Sequence, residues 1–180
     1  MVVKSMDNEL IQALKDCKAV KFGDFTLASG RKSKYYIDIK KATSDPGTLT
    51  LIAGRIMAII KEQNICVEAI GGVAVGGIPL ATAVSLASGL PLVIIRKSLK
   101  DYGTGGRFIG DIEGRSLLMV EDVTTTGGSV IEAIRSLRDE GAVVDTVITV
   151  VDRDEGAQSG LNALDVKLVP LVSASDLLGQ

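Results

Sequence analysis

The chain has 180 residues with 20 basic and 22 acidic side chains, so its formal net charge is only -2. This length suits one domain, and the near-neutral charge gives no sign of a nucleic-acid surface. The sequence contains no histidine, which excludes Ser-His-Asp triads, imidazole zinc sites and a histidine general base. We therefore expect a small-molecule substrate, with chemistry based on carboxylates, lysines, hydroxyls, backbone amides or a metal held by oxygen.

The first residues and the two cysteines indicate a cytoplasmic protein. No apolar stretch of signal-peptide length follows the start, and Cys17 and Cys66 match no metal or redox spacing. Residues 69–95 are uncharged and long enough to cross a bilayer. Because glycines and prolines divide this stretch into strand, turn and helix, we predict no membrane span.

The amino-terminal part of the chain predicts a small, mixed lobe. Apolar spacing of three to four residues over 8–17 predicts an amphipathic helix. Two strand-like segments and a helix start follow, at residues 22–27, 35–39 and Asp45-Pro46 before residues 49–61. We expect residues of about 1–42, together with about 163–180, to form a hood over the rest of the chain.

Residues of about 43–162 show a regular alternation of strands and helices, which is typical of parallel βαβ units. Val, Ile and Leu occupy both faces of the strands, so we expect an α/β, Rossmann-like sheet flanked by helices, with ligands at the carboxyl ends of the strands. Residues 1–180 then form a single domain. The predicted strands are about 67–70, 92–95, 117–120 and 144–151, and the predicted helices about 78–87 and 129–140.

The strongest chemical signal follows the strand predicted at 117–120. Two carboxylates, Glu121 and Asp122, precede a run of hydroxyl residues and glycines at 124–129 that leads directly into a helix. Unpaired amides and the helix dipole at such a turn form a phosphate cradle. The carboxylates would suit the adjacent hydroxyls of a sugar, or Mg²⁺, so a 5-phosphorylated ribose satisfies both halves. The alternative is an ordinary turn with a Ser or Thr N-cap.

This run, Glu-Asp-Val-Thr-Thr-Thr-Gly-Gly-Ser, resembles the phosphoribosyl pyrophosphate (PRPP) motif of the type I phosphoribosyltransferases. Further blocks at residues 22–27, 29–36, 76–81, 95–97 and 100–103 are similar in order and spacing to orotate phosphoribosyltransferases. The resemblance covers nearly the whole chain. It implies the type I phosphoribosyltransferase fold, PRPP and orotate as substrates in pyrimidine (UMP) biosynthesis, and Mg²⁺ carried by PRPP without an assigned protein ligand.

The resemblance also implies roles for individual residues. Lys100, Glu121 and Asp122 are expected to be catalytic, and a basic, glycine-rich, mobile loop at 97–110 is expected to close over the neighbouring active site of a homodimer. Without the resemblance, a solvated surface turn remains the alternative for this loop. The residues expected to bind PRPP are Arg96, Lys97, Lys100, Tyr102, Glu121, Asp122, Val123, Thr124, Thr125, Thr126, Gly127, Gly128 and Ser129.

A second charged cluster follows the strand predicted at 144–151. Arg153 could bind a carboxylate bidentately, and by resemblance it contacts orotate, as does Thr125. All six aromatic residues, Tyr36 among them, fall in two windows, where they either pack the small lobe or collect around a site for a planar ring. The alternative is a surface ion-pair turn formed by Asp152, Arg153 and Asp154.

Four residues depart from the pattern of the resembled family. Many orotate enzymes have lysine in place of Ala28, lysine in place of Gly76 and histidine in place of Tyr102, and Glu121 replaces an aspartate of some members. Pyrophosphate binding is therefore expected to depend more on Mg²⁺, on the cations Arg96, Lys97 and Lys100, and on the backbone at 73–77.

The reaction expected from the resemblance needs no strong protein base, which agrees with the missing histidine. PRPP loses pyrophosphate through an oxocarbenium-like state while N1 of orotate, deprotonated in solution, attacks C1 of the ribose. The protein then supplies positioning, charge stabilisation and exclusion of water. Two alternatives stay open: transfer to another purine or pyrimidine base, and a non-catalytic regulator that senses PRPP with the same fold.

Overall fold

The computed structural model describes residues 2–26, 32–97 and 106–178. Helices and strands alternate through most of this length, as the sequence pattern predicts. In chain order the elements are α1 (Val2–Asp16), β1 (Val20–Thr26), β2 (Lys32–Ile37), α2 (Ile39–Thr43), α3 (Pro46–Glu62), β3 (Ala69–Val73), α4 (Gly77–Ser88), β4 (Leu92–Ile95), β5 (Phe108–Ile109), β6 (Ser116–Thr124), α5 (Gly128–Asp139), β7 (Val143–Asp152), α6 (Ala157–Asn162), β8 (Lys167–Ser173) and α7 (Ala174–Leu178).

Within the described ranges the main sheet has six strands in the order β5-β4-β3-β6-β7-β8. All neighbours are parallel except β4 and β5, which are antiparallel. Every residue of β3 is buried, because helices cover both faces of the sheet and two apolar clusters form there. The predicted α/β fold with a Rossmann-like parallel sheet is confirmed.

Strands β1 and β2 form a separate antiparallel ribbon beside this sheet. Helix α1 packs near the ribbon and against α3, with Leu10 and Leu14 fully buried. The amino-terminal part of the predicted hood is therefore a distinct substructure that shares the hydrophobic core.

The predicted carboxyl boundary of the core, near residue 162, is wrong. Residues Lys167–Ser173 pair in parallel with β7 and form an edge strand of the main sheet. Pro170 interrupts the strand-like pattern of this segment, but an edge strand tolerates a proline because one side of its backbone needs no partner. The segment assigned to the hood from residue 163 onward therefore contributes a strand to the core.

Local sequence signals explain the helices that border the site. Asp45 caps α3, since its Oδ2 accepts a hydrogen bond of 2.7 Å from the Thr48 amide, and Pro46 occupies the first turn. Helix α4 packs tightly on β3 at Gly72. A Cβ at this position would lie 2.5 Å from the Gly77 carbonyl oxygen, so the contact has no room for a side chain. This close packing brings the turn before α4 to the carboxyl end of β3.

The uncharged stretch at residues 69–95 forms β3, α4 and β4. Across the described parts of the chain, no helix combines the length and the apolar character needed to traverse a bilayer.

Candidate active site

A cavity of about 500 Å³ opens at the carboxyl ends of β3 and β6, where a doubly covered parallel sheet is expected to bind ligands. Four chain segments line it: the end of β2 with the start of α2, the end of β3 with the β3–α4 turn, the second residue after β4, and the end of β6 with the start of α5. The lining residues are Ile37, Asp38, Ile39, Lys40, Val73, Ala74, Val75, Gly76, Lys97, Glu121, Asp122, Val123, Thr124, Thr125, Thr126, Gly127, Gly128, Ser129 and Val130.

Glu121 and Asp122 lie inside β6, which continues to Thr124, rather than beyond the end of the strand. Glu121 Oε1 accepts a hydrogen bond of 3.2 Å from the Asp122 amide, and Asp122 Oδ1 accepts one of 2.8 Å from the Val123 amide. Glu121 is 8% exposed, and its Oε2 has no hydrogen-bond partner among the described residues. The acidic pair is thus held in place while one buried oxygen is left for a ligand.

The burial of Glu121 has an electrostatic consequence. Desolvation raises the pKa of the Glu121 carboxyl well above its ordinary value, and the negative charge of the Asp122 carboxylate raises it further. The hydrogen bond from the Asp122 amide and the positive charge of Lys97 act in the opposite direction. Glu121 therefore holds its proton more tightly than an exposed glutamate does, and a bound cation would favour its ionised form.

The turn between β6 and α5 has the features of an anion cradle. Its N-cap residue is Gly127, with φ of +77°, and no side chain caps the helix. The alternative interpretation, a Ser or Thr N-cap, is therefore wrong, and the amides of Gly128, Ser129 and Val130 keep no side-chain acceptor. A left-handed φ favours glycine, so Gly127 is required by the shape of this turn.

The threonines of the predicted PRPP motif differ in their environment. Thr125 and Thr126 are exposed beside the cavity. Thr124 is buried, and its hydroxyl donates a hydrogen bond of 2.8 Å to Asp152 Oδ1. The Thr124 hydroxyl is already engaged with β7, so a contact of this residue with PRPP would use its backbone.

Two residues that sequence reasoning did not identify, Asp38 and Lys40, reach the same cavity from the segment after β2. Lys40 Nζ lies 3.9 Å from Asp122 Oδ2 and 4.0 Å from Asp38 Oδ1. The signal available in the sequence was the Asp-Ile-Lys-Lys run at the end of a predicted strand. Its position next to Asp122 depends on the tertiary fold and could not be inferred from that run alone.

Gly76 approaches the acidic pair from the β3–α4 turn. A Cβ built on Gly76 would overlap the Asp122 carboxylate. The peptide bond between Ala74 and Val75 in this turn is cis. Of the backbone expected at residues 73–77, residues 73–76 line the cavity, and at Gly76 the carboxylate leaves no room for a side chain.

Arg153 lies in a different environment from the one expected of a surface turn. Its guanidinium carbon is 5.1 Å from the centre of the Tyr35 ring, and its Nε is 3.0 Å from Glu155 Oε1. The Arg153 side chain is 10% exposed. Asp152 is buried and bonded to Thr124, so the proposed surface ion-pair turn of Asp152, Arg153 and Asp154 is wrong. The partner of Arg153 is Glu155.

Tyr36 and Arg153 have different aromatic neighbours. Its ring lies 5.7 Å from that of Phe25 on the ribbon, whereas the neighbouring Tyr35 faces Arg153. Successive residues of a strand point to opposite faces, which explains the difference. Neither Tyr36 nor Arg153 lines the 500 Å³ cavity, and their contact with orotate stays a prediction, as does that of Thr125.

Hydrogen bonds of Arg96 and Arg107 hold the base of the predicted basic loop against α5 and close its two ends on each other. The Arg96 amide donates to the Arg107 carbonyl (2.9 Å), and Arg96 Nη1 donates to the Gly106 carbonyl (3.1 Å). Arg107 in turn contacts Glu132 and Ser136 of α5. Lys97 lines the cavity and Arg96 does not. Lys100, Tyr102 and Ala28 lie outside the described residues.

Comparisons with known proteins agree with this geometry. The family model of the phosphoribosyl transferase domain matches residues 45–167. An orotate phosphoribosyltransferase of Methanosarcina mazei is 62% identical over 94% of this chain and 90% of the relative, and one of Methanosarcina acetivorans is 58% identical over 98% and 94%. A crystal structure of orotate phosphoribosyltransferase from Aeropyrum pernix has a TM-score of 0.85 at 34% identity, covering 94% of this chain and 96% of that one.

Proposed function

Because the chain belongs to the phosphoribosyl transferase domain family, and within it to the orotate phosphoribosyltransferases, we propose a division of labour among its residues for that reaction. The enzyme transfers the phosphoribosyl group of PRPP to orotate, giving orotidine 5-monophosphate and pyrophosphate in pyrimidine biosynthesis. One observation carries the proposal: a paired carboxylate and an uncapped helix amino terminus lie side by side in one cavity.

The donor is bound through its ribose 5-phosphate. The 5-phosphate lies against the amides of the turn at residues 125–129, since unpaired helix-terminal amides and the helix dipole favour an anion. Glu121 and Asp122 accept hydrogen bonds from the 2- and 3-hydroxyls of the ribose. Lys97 at the cavity, together with Lys100, stabilises the charge that builds on the departing pyrophosphate.

The donor set of the cavity fits Mg²⁺ that arrives with PRPP. Among the described residues, no group of three or more His, Cys, Asp and Glu could form a protein metal cage. Mg²⁺ is commonly held by one or two carboxylates together with substrate phosphates, and the unpartnered Glu121 Oε2 beside Asp122 supplies such oxygens. When bound, the ion neutralises charge on the diphosphate. The chain's own contribution is to hold the two carboxylates through the amides of Asp122 and Val123.

The acceptor is placed by Arg153. A guanidinium binds a carboxylate bidentately, and the Tyr35 ring and Glu155 hold the Arg153 side chain in a nearly buried position. Thr125 is proposed as a further contact of orotate, and the contact of Tyr36, which lies on the face of β2 opposite Tyr35, stays a prediction. Since N1 of orotate is supplied deprotonated from solution, the protein aligns the two reactants and needs no general base.

We propose a homodimer formed through the outer face of α4. The helix carries no charged residue, and large apolar side chains are exposed on it and just before it, with Leu86 81% and Val75 69% accessible. Exposed apolar patches of this kind mark association surfaces. Sedimentation of wild type and Leu86→Glu tests this, because a monomeric wild type contradicts it. Entry of the 97–110 loop into the neighbouring site, and a cytoplasmic location, stay predictions.

A spectrophotometric assay tests the acceptor. Orotate absorbance should fall only when PRPP and Mg²⁺ are both present, and the same assay with uracil, hypoxanthine, guanine, xanthine and adenine should show no comparable turnover. Asp122→Ala should lose most of the turnover while keeping the wild-type melting temperature within a few degrees. Binding of PRPP without turnover on any base would instead support a regulator.

A further inference from the structure

Two segments far apart in the sequence converge on one oxygen of Asp122. Lys40, from the segment after β2, brings its Nζ to 3.9 Å from Asp122 Oδ2. Gly76, from the turn before α4, lies so close to the same carboxylate that a Cβ would overlap it. Among the described residues, Lys40 is thus the cation that pairs with Asp122, at a point where the β3–α4 turn offers only backbone.

The charges of the cavity require such a cation. Glu121, Asp122 and Asp38 supply negative charge, and the proposed donor adds a phosphate and a diphosphate. Of the residues that the structure describes, Lys40 and Lys97 are the cations that line the cavity. Anionic groups brought beside carboxylates repel them unless a counter-charge lies between.

Helix α2 holds Lys40 in this position. Its neighbours Ile39 and Ala42 are buried in the core, so the short helix is fixed against the sheet and Lys40 remains at the cavity. The adjacent Lys41 is exposed and does not line the cavity, because consecutive helical residues are about 100° apart around the axis. The two lysines therefore share a helix and a charge but differ in access to the cavity.

We propose that Lys40 is a binding residue for the diphosphate of the donor. This inference rests on the proposed function and deepens it by naming a residue for one part of the substrate. Lys40 reaches the Asp122 side of the cavity and bonds to no residue of the cradle at 125–129, so it serves the diphosphate rather than the 5-phosphate. A lysine acts as a flexible point charge towards phosphate, which suits a group that must release pyrophosphate after each turnover.

Calorimetric titration with two probes tests the inference. Lys40→Ala should weaken the binding of inorganic pyrophosphate, with Mg²⁺ present, by about tenfold or more, as expected for the loss of a charge-assisted contact. Its affinity for ribose 5-phosphate should stay within about twofold of wild type, since that ligand lacks the diphosphate. Lys41→Ala, the matched control, should bind both probes normally, and Lys40→Arg should recover most of the pyrophosphate affinity.

The inference is overturned if Lys40→Ala binds pyrophosphate like wild type, or if both probes weaken equally. Should Lys40→Ala fail to fold, Lys40→Gln carries the same test, because it removes the charge but keeps a polar side chain that is only one atom shorter. Steady-state kinetics add a second readout, in which KM for PRPP should rise more than KM for orotate. Failure of wild type to turn over orotate would refute the proposed function, whereas the two titrations judge Lys40 separately.

Discussion

The hydroxyl of Thr124 donates a hydrogen bond of 2.8 Å to Oδ1 of Asp152, and this pair joins the last residue of β6 to the last residue of β7. The two residues are register partners, and the Arg153 amide donates to the Thr124 carbonyl at 2.9 Å. The turn after β6 is proposed to bind the phosphate, and Arg153 after β7 is proposed to bind orotate. Both therefore start from this one hydrogen-bonded pair at the end of the sheet. Thr124 thus positions other groups through Asp152.

Removing this hydrogen bond should affect both substrates. Thr124→Val keeps the shape of the side chain but leaves Asp152 without its hydroxyl donor, so we expect KM for PRPP and for orotate to rise together. Loss of a buried bond to a carboxylate should also cost about 1.5–3 kcal/mol of unfolding free energy. Thr124→Ser restores the donor and should recover both KM values. A purely structural role would lower the melting temperature with unchanged KM values.

Gly76→Ala should nearly abolish turnover, because the added Cβ would displace the Asp122 carboxylate. Gly54→Ala is the matched control. Gly54 lies in α3 with open space around its missing Cβ, so this change should leave the rate unchanged and stabilise the protein by about 0.5–1 kcal/mol. Turnover and urea unfolding of the two variants check this. Equal activities would show that the position of Asp122 is not critical.

Glu121→Gln should change how stability depends on pH. The fold raises the pKa of Glu121 above its ordinary value of 4.5, so the folded state holds this proton more tightly than the unfolded chain. The stability due to the group is complete below pH 4.5 and is lost as pH rises through the raised pKa. Glutamine never ionises, so the variant should gain stability relative to wild type as pH rises above 4.5.

Urea unfolding of the ligand-free proteins between pH 4 and 8 measures this difference directly. Free energies of unfolding of Glu121→Gln and wild type that run parallel across the whole range would refute the expected burial effect. Added PRPP and Mg²⁺ should reduce the difference, because a bound cation favours the ionised carboxylate of wild type.

Replacement of Arg153 should weaken the binding of orotate, the acceptor. Both Arg153→Ala and Arg153→Lys should raise KM for orotate by about tenfold or more, since lysine offers a point charge in place of a planar fork. KM for PRPP should change less. Arg115→Ala is the control, because Arg115 pairs with Asp111 four residues away and does not line the cavity. Recovery of the wild-type KM for orotate by lysine would argue against bidentate binding.

Most of the central fold could be predicted because its signals are local. The Asp45-Pro46 cap predicted the start of α3, and apolar runs predicted β4 with its observed bounds and α4 and α5 to within one residue at each end. The two-residue β5 and the edge strand β8 were not predicted as strands. Both depend on neighbours in the sheet rather than on a pattern of their own.

The candidate site divides in the same way. Glu121, Asp122 and the turn at 125–129 are contiguous, so the sequence alone predicted that they lie together. Lys40 beside Asp122, Thr124 bonded to Asp152, and Tyr35 against Arg153 each join residues from separate segments. Such pairs are set by how the β1–β2 ribbon and the sheet pack, which no single stretch of sequence specifies.

The separation of the β1–β2 ribbon from the main sheet affects how the contacts proposed for the two substrates can move. Within the described ranges the ribbon shares no strand pairing with the main sheet, while Tyr35 near its end and Lys40 just beyond it touch groups proposed for the acceptor and the donor, respectively. Because buried Ile39 and Ala42 anchor α2 to the core, a displacement of the ribbon would move Tyr35 and leave Lys40 in place. The contact proposed for the acceptor thus travels with the ribbon, while the contact proposed for the donor stays with the core.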